Sequence, residues 1–263
     1  MKNQDNFYIG YAEQMAPESK RVLKRIMVAI SLVIVLTATV FSLEQKEFKN
    51  STFELGTVIE LTGVLLTYPA PMLRVQIEEN SFKNIMLLGY GKFGANAELQ
   101  KINSKVSKIE GMKISLKGTL IYYDGKTLFQ VEEGQEPYEI KDTDTILKPS
   151  KIDLGSMVLE GEIIDPKCYF GVMKPGFGKI HRSCAVRCIS GGIPPVLITS
   201  NAQGEASYFI ITDKNGKPIN KAILPYVGKP CRVLGQMEQV EDWLVLKTDI
   251  SDIQNLDKKS KIY

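Results

Sequence analysis

Two stretches of the chain repeat one another, and a repeat fixes the number of structural units more firmly than local propensity does. Residues 56–69 read GTVIELTGVLLTYP and residues 155–166 read GSMVLEGEIIDP, each a glycine opening an alternating run with a second glycine inside it. Further on, GMKISLKGTLIYYDGKTLFQV from Gly111 matches GKPCRVLGQMEQVEDWLVL from Gly228. The paired glycines, Gly111 with Gly118 and Gly228 with Gly235, are seven apart in both copies. Alternation of period two marks a half-buried strand, and a glycine within it marks a bulge or a sharp bend. Between these landmarks each copy holds two short strands and a helical segment: strands at 73–77 and 84–88 with a helix at 95–109, then strands at 196–200 and 206–211 with a helix at 219–226. Three strands, a helix and two strands is the order of a five-stranded OB-type barrel. The expected fold is therefore mainly β, with two tandem OB-like barrels over 53–148 and 149–255. Residues 148–151 read as the linker and 256–263 as a solvated or basic docking tail. One continuous β-sandwich is the alternative, because short strands are its signature too.

Ahead of the repeats lies IMVAISLVIVLTATVFSL, residues 26–43, which is 18 residues without a charge, proline or glycine. At ~1.5 Å per residue such a helix spans about 27 Å, the hydrocarbon thickness of a bilayer. Lys20, Arg21, Lys24 and Arg25 precede it, whereas the charges of Glu44, Lys46, Glu47 and Lys49 after it cancel. The positive-inside rule then puts residues 1–25 in the cytoplasm and, past a linker at 44–52, both barrels on the extracytoplasmic (periplasmic) side of the cell membrane. A cleaved signal peptide, with Val40 and Ser42 at the cleavage site, is the alternative; both readings export the same barrels. Hydrophobic residues at 44% and charged residues at 24% are ordinary globular values and indicate neither a disordered nor a polytopic chain. Beyond residue 25 the 28 basic and 27 acidic residues balance, so no nucleic-acid partner is expected.

The copies differ at one place. TYPAPMLRV links the first two strands of the first barrel, but the second has DPKCYFGVMKPGFGKIHRSCAVRCISGGIPPVL, residues 165–197. A long insertion in one connection of a compact barrel is usually functional, and this one falls in a loop that OB folds use for ligands. It holds three of the four cysteines and the only histidine, as Cys168, His181, Cys184 and Cys188 in the pattern C-x12-H-x2-C-x3-C. Residues 179–190 read as a helix stopped by Gly191 and Gly192 and held from continuing by Pro194 and Pro195. His181, Cys184 and Cys188 share one face of it, and Cys168 lies on a flexible Gly/Pro-containing arm that can fold over that face.

Three readings of the cluster stay open. Three thiolates and one imidazole suit tetrahedral zinc, or Cu(I) and iron–sulfur chemistry by softness. A structural disulfide from Cys168 to Cys184 or Cys188 suits an oxidising compartment. A reactive thiol at Cys184 or Cys188, lowered by His181 and a helix N-terminus, would make a thiol enzyme or redox protein. A single histidine excludes blue-copper and Rieske centres, and catalytic zinc sites usually need more; no haem, thioredoxin or nucleophile-elbow motif occurs. No catalytic residue is assigned. Cys231 aligns with Ile114 and reads as a buried core thiol, and Met173 as a packing residue rather than a copper ligand. KPGFGK at 174–179 and GYGKFGA at 89–95 read as turns without phosphate-loop or dinucleotide spacing, although backbone N–H groups in the first could hold an anion.

Residues 155–253 resemble exported bacterial OB-like domains that open with a strand ending in Asp and Cys, continue to H-x2-C-A-x2-C and close with paired strands around a glycine. Here those elements are Asp165, Cys168, His181, Cys184, Ala185, Cys188 and Gly235. The resemblance implies export and the barrel, and no activity or cofactor. The function expected is that of a membrane-anchored accessory or binding protein with a Cys/His metal or cofactor site, working with another membrane or exported protein. A disulfide-pinned structural interaction module is a further alternative.

Overall fold

In the computed structural model of the chain, the described residues are 16–44, 51–79, 81–103, 110–134 and 149–256. The apolar run lies inside a longer helix, α1 (Pro17–Glu44), none of whose residues is buried. Its two threonines do not leave hydroxyls unsatisfied: Thr37 and Thr39 donate back to the carbonyls of Val33 and Val35 at 2.7 and 2.8 Å. By length and composition α1 can cross a membrane or serve as a signal sequence. It forms a compact unit of its own, and the barrels together form a second one.

Two closed five-stranded barrels follow, which rules out the sandwich. The first comprises β2 (Ile59–Leu66), β3 (Met72–Glu78), β4 (Ser81–Leu88), β5 (Lys113–Tyr123) and β6 (Lys126–Val131), with the short β1 (Thr52–Phe53) on the edge of β5. The second repeats this order in β7 (Lys151–Ile164), β8 (Val196–Ser200), β9 (Ala206–Asp213), β10 (Pro230–Val240) and β11 (Trp243–Thr248), with β12 (Ile253–Asn255) beside β10. In both copies the fourth strand pairs with the first and closes on the fifth, and the third pairs with the fifth in parallel. The internal glycines mark the bends. A Cβ on Gly161 would stand 2.1 Å from the Ile198 carbonyl oxygen, and one on its counterpart Gly63 would stand 2.6 Å from that of Arg74. At this point the opening strand gains a second neighbour, and no side chain fits.

The helix expected at 95–109 is α2 (Asn96–Asn103) as far as residue 103; residues 104–109 lie outside the described residues, as do 1–15, 45–50, 135–148 and 257–263. The one expected at 219–226 is α4 (Asn220–Ile223) continued by a 3₁₀ turn, Leu224–Tyr226. Lys151 does not belong to a linker but opens β7.

The barrels share a core. In β4, Ile85 and Leu87 point into the first barrel while Met86 and Leu88 point out of it, and all four are buried. In β8 and β9, Leu197, Phe209 and Ile211 fill the second barrel while Val196, Ile198, Tyr208 and Ile210 face outward. The outward sets meet as one apolar seam that also takes in Trp243 and the insertion residues Cys168, Phe170 and Cys188. Strands buried on both faces lose alternation, which is why these segments read as unbroken apolar runs. Polar ties flank the seam. Arg74 reaches Glu241 through both Nε (3.0 Å) and Nη2 (2.6 Å), Asn84 Nδ2 donates to the same carboxylate, and Trp243 Nε1 donates to the Asn84 carbonyl at 2.9 Å.

Because Trp243 is fully buried in this shared core, Trp243→Ala is expected to cost about 3–5 kcal/mol of stability. Both barrels should lose structure in the same transition, followed by denaturant unfolding of the full chain in detergent. Leu55→Ala, at a residue 77% exposed, should change stability by less than about 0.5 kcal/mol.

Candidate metal centre

The insertion is not a loop hanging off the second barrel but a wedge in the seam. β7 runs into Asp165, which is fully buried and starts the next turn: its Oδ1 accepts from the Lys167 backbone N–H at 2.9 Å and its carbonyl from that of Tyr169 at 3.0 Å. Cys168 was expected on a flexible Gly/Pro-containing arm able to fold over the helix face, and it does lie against that face. The arm is a π-helical turn, Cys168–Val172, that begins at the buried Cys168 and is closed by the Met173 N–H on the Cys168 carbonyl. Such turns cluster at functional sites.

The inserted helix, α3 (Gly178–Ser190), stands at 178 rather than 179. The backbone N–H of Gly178, in the segment considered for an anion, donates to the buried Glu162 carboxylate of the chain itself. The helix stops as its glycines require: Gly192 takes φ +102°, and the Ile193 N–H returns to the Cys188 carbonyl. Asn220 Nδ2 covers the carbonyls of Ile189 and Ile193 at 2.8 and 2.7 Å. Gly191 lies against the first barrel so closely that a Cβ would stand 2.1 Å from the Lys92 carbonyl oxygen, and its own carbonyl accepts from the Gly94 N–H at 3.1 Å. GYGKFGA thus docks on the end of α3. Besides that Gly94 N–H it presents two carbonyls: Gly89 and Gly91 accept from the buried Lys167 ammonium at 2.9 and 2.8 Å.

On α3, Ala185 and Ile189 face the core of the second barrel. His181, Cys184 and Cys188 face the other way, towards Cys168. The sulfurs of Cys168, Cys184 and Cys188 lie within 4.8 Å of one another, and so do ligand atoms of Asp165, Cys168 and His181. Of the expected quartet the three cysteines therefore converge, while His181 meets Cys168 and Asp165 rather than completing the sulfur group at that distance. Asp165 was read from the sequence only as a strand end. Its spacing of three residues before Cys168 is the signal that could have marked it. Met173 is exposed, and Cys231 sits apart in the second barrel's core, where burial pushes its thiol up to about 12.

Burial dominates the electrostatics. Contact with the Cys188 sulfur, burial and the Asp165 carboxylate push the Cys168 thiol far above the ordinary thiol range, and burial followed by the Cys188 charge raises that of Cys184. This is opposite to the shift a nucleophilic thiolate needs. Burial lowers the His181 imidazole against the pull of Asp165, and lowers the Lys167 ammonium likewise. Asp165 Oδ2 and His181 Nε2 are both buried with no hydrogen-bond partner, and a buried polar atom in that state costs about 1–3 kcal/mol. A cation at the three sulfurs would favour the thiolate form that burial alone disfavours, and only one placed between Asp165, Cys168 and His181 would meet these two atoms. The Cys/His/Asp group can hold a metal ion.

Comparisons with protein-family models, with curated proteins and with solved structures returned no match.

Lys167→Met keeps the side chain's bulk but leaves the Gly89 and Gly91 carbonyls unpaired. It is expected to cost about 3 kcal/mol in denaturant unfolding, whereas Lys174→Met, at an exposed lysine over the Tyr123 ring, should cost less than about 1 kcal/mol.

Proposed function

We propose that this is a single-pass, membrane-anchored accessory protein that holds a thiophilic metal ion, Zn²⁺ or Cu(I), at Cys168, Cys184 and Cys188 with His181 alongside, on the extracytoplasmic face of the membrane. The observation that carries this reading is the convergence of three sulfurs in a buried seam beside two donor atoms left without partners. Three soft donors select such ions over Mg²⁺ or Ca²⁺, and the rigid surroundings favour retention over turnover. Export rests on the charge asymmetry around α1. The D-x2-C…H-x2-C-A-x2-C segment would be the mark of an exported OB-like family built on the same site, and a membrane or exported protein is the proposed partner.

Full-length protein purified anaerobically in detergent is expected to contain the metal stoichiometrically and to lose it on combined Cys184→Ser and Cys188→Ser substitution. Metal-free protein whose insertion has no titratable thiols would point instead to a disulfide-pinned module. A reporter enzyme that works only outside the cytoplasm should be active when fused after Tyr263; inactivity there would overturn the orientation.

A further inference from the structure

The donors in the seam do not gather around one point. They form two groups of three that share a single atom, the Cys168 sulfur: Cys168, Cys184 and Cys188 on one side, Asp165, Cys168 and His181 on the other. The second group is the more deeply buried, with Asp165 at 0% and His181 at 4% exposure. It is also the group whose Asp165 and His181 each carry a buried atom without a hydrogen-bond partner, Oδ2 and Nε2. The two residues come from different elements, the end of β7 and the first turn of α3, yet each brings a ligand atom close to the same sulfur. An ion at the three cysteines alone would leave both unanswered.

We infer that Asp165 and His181, together with the Cys168 sulfur, hold a second metal ion next to the one at the three cysteines, the Cys168 thiolate bridging the two. This rests on the reading of the sulfur group given above and extends it to a binuclear centre. A thiolate has lone pairs for two ions, and each ion then has three protein donors and room for an outside ligand. The mixed oxygen, nitrogen and sulfur set suits a divalent ion of borderline softness, against the softer all-sulfur position.

Charge favours the pair. Three thiolates and the Asp165 carboxylate face one buried ammonium, that of Lys167; Lys92 also acts on His181 and Cys184 but is exposed to solvent. The ionised pocket is left with three uncompensated negative charges, more than one divalent ion neutralises. A monovalent ion at the sulfurs and a divalent ion at the mixed position balance it, as burial requires.

The test loads the apo full-length protein in detergent with Cu(I), which is spectroscopically silent, and then titrates Co²⁺ as a coloured probe. One Co²⁺ should be retained through gel filtration, with a sulfur-to-cobalt absorption band. Asp165→Asn, which keeps the Oδ1 acceptor for the Lys167 N–H, and His181→Gln should each abolish the cobalt while keeping the Cu(I). Cys168→Ser should abolish the sulfur-to-cobalt band. Cu(I)-loaded protein that takes up no cobalt, or takes it up equally in both variants, overturns the second position and leaves the first standing. Protein that fails to retain Cu(I) removes both.

Discussion

The outward faces of the two barrels are apolar at matching places, and water cannot solvate them. Met86 and Leu88 on one barrel and Val196, Ile198 and Ile210 on the other must be covered, and covering them presses the barrels together. Everything distinctive about the molecule follows from that burial. The seam admits the insertion as a third partner, and the insertion in turn supplies Phe170, Cys168 and Cys188 to fill it. Close backbone approach at Gly191 and the Lys167 ammonium under the carbonyls of Gly89 and Gly91 then fix it against the first barrel.

This arrangement raises the thiols of Cys168 and Cys184 as long as no cation is beside them. Buried beside a carboxylate and beside each other, Cys168 and Cys184 keep their protons, so nucleophilic or exchange chemistry has little thiolate to draw on. The same dry surroundings strengthen any ion that binds, because competing water is excluded and the donors are already held in place. The duplicated barrel acts as the wall of the cluster that the second barrel lacks on its own. The first copy has no cysteine, and its contribution is the loop that closes the seam.

Much of this was legible in the chain because it is local or periodic. Two glycines seven apart in each copy announced equivalent strands, the alternation gave their faces, and the helix in the insertion followed from its glycine and proline stop signals. Convergence of Cys168, Cys184 and Cys188 was expected from helical spacing plus a cysteine upstream, and it occurs. The π turn at Cys168 was not foreseen, since the bonds that Asp165 accepts from the Lys167 and Tyr169 N–H groups leave no mark in residue spacing. Nor was the shared core. The unbroken apolar runs at 85–88 and 208–211 carried its signal, but taken alone such runs fit any doubly covered strand.

The sequence by itself determined an apolar helix of membrane length, a duplicated five-stranded barrel and a single cysteine-rich excursion, because each is written in spacing along the chain. Only the tertiary structure decided which donors meet. Asp165 and His181 stand 16 residues apart in the sequence on elements of different type. Both come close to the Cys168 sulfur because the packing of two barrels folds the excursion back between them, a long-range consequence of apolar burial that no local pattern encodes.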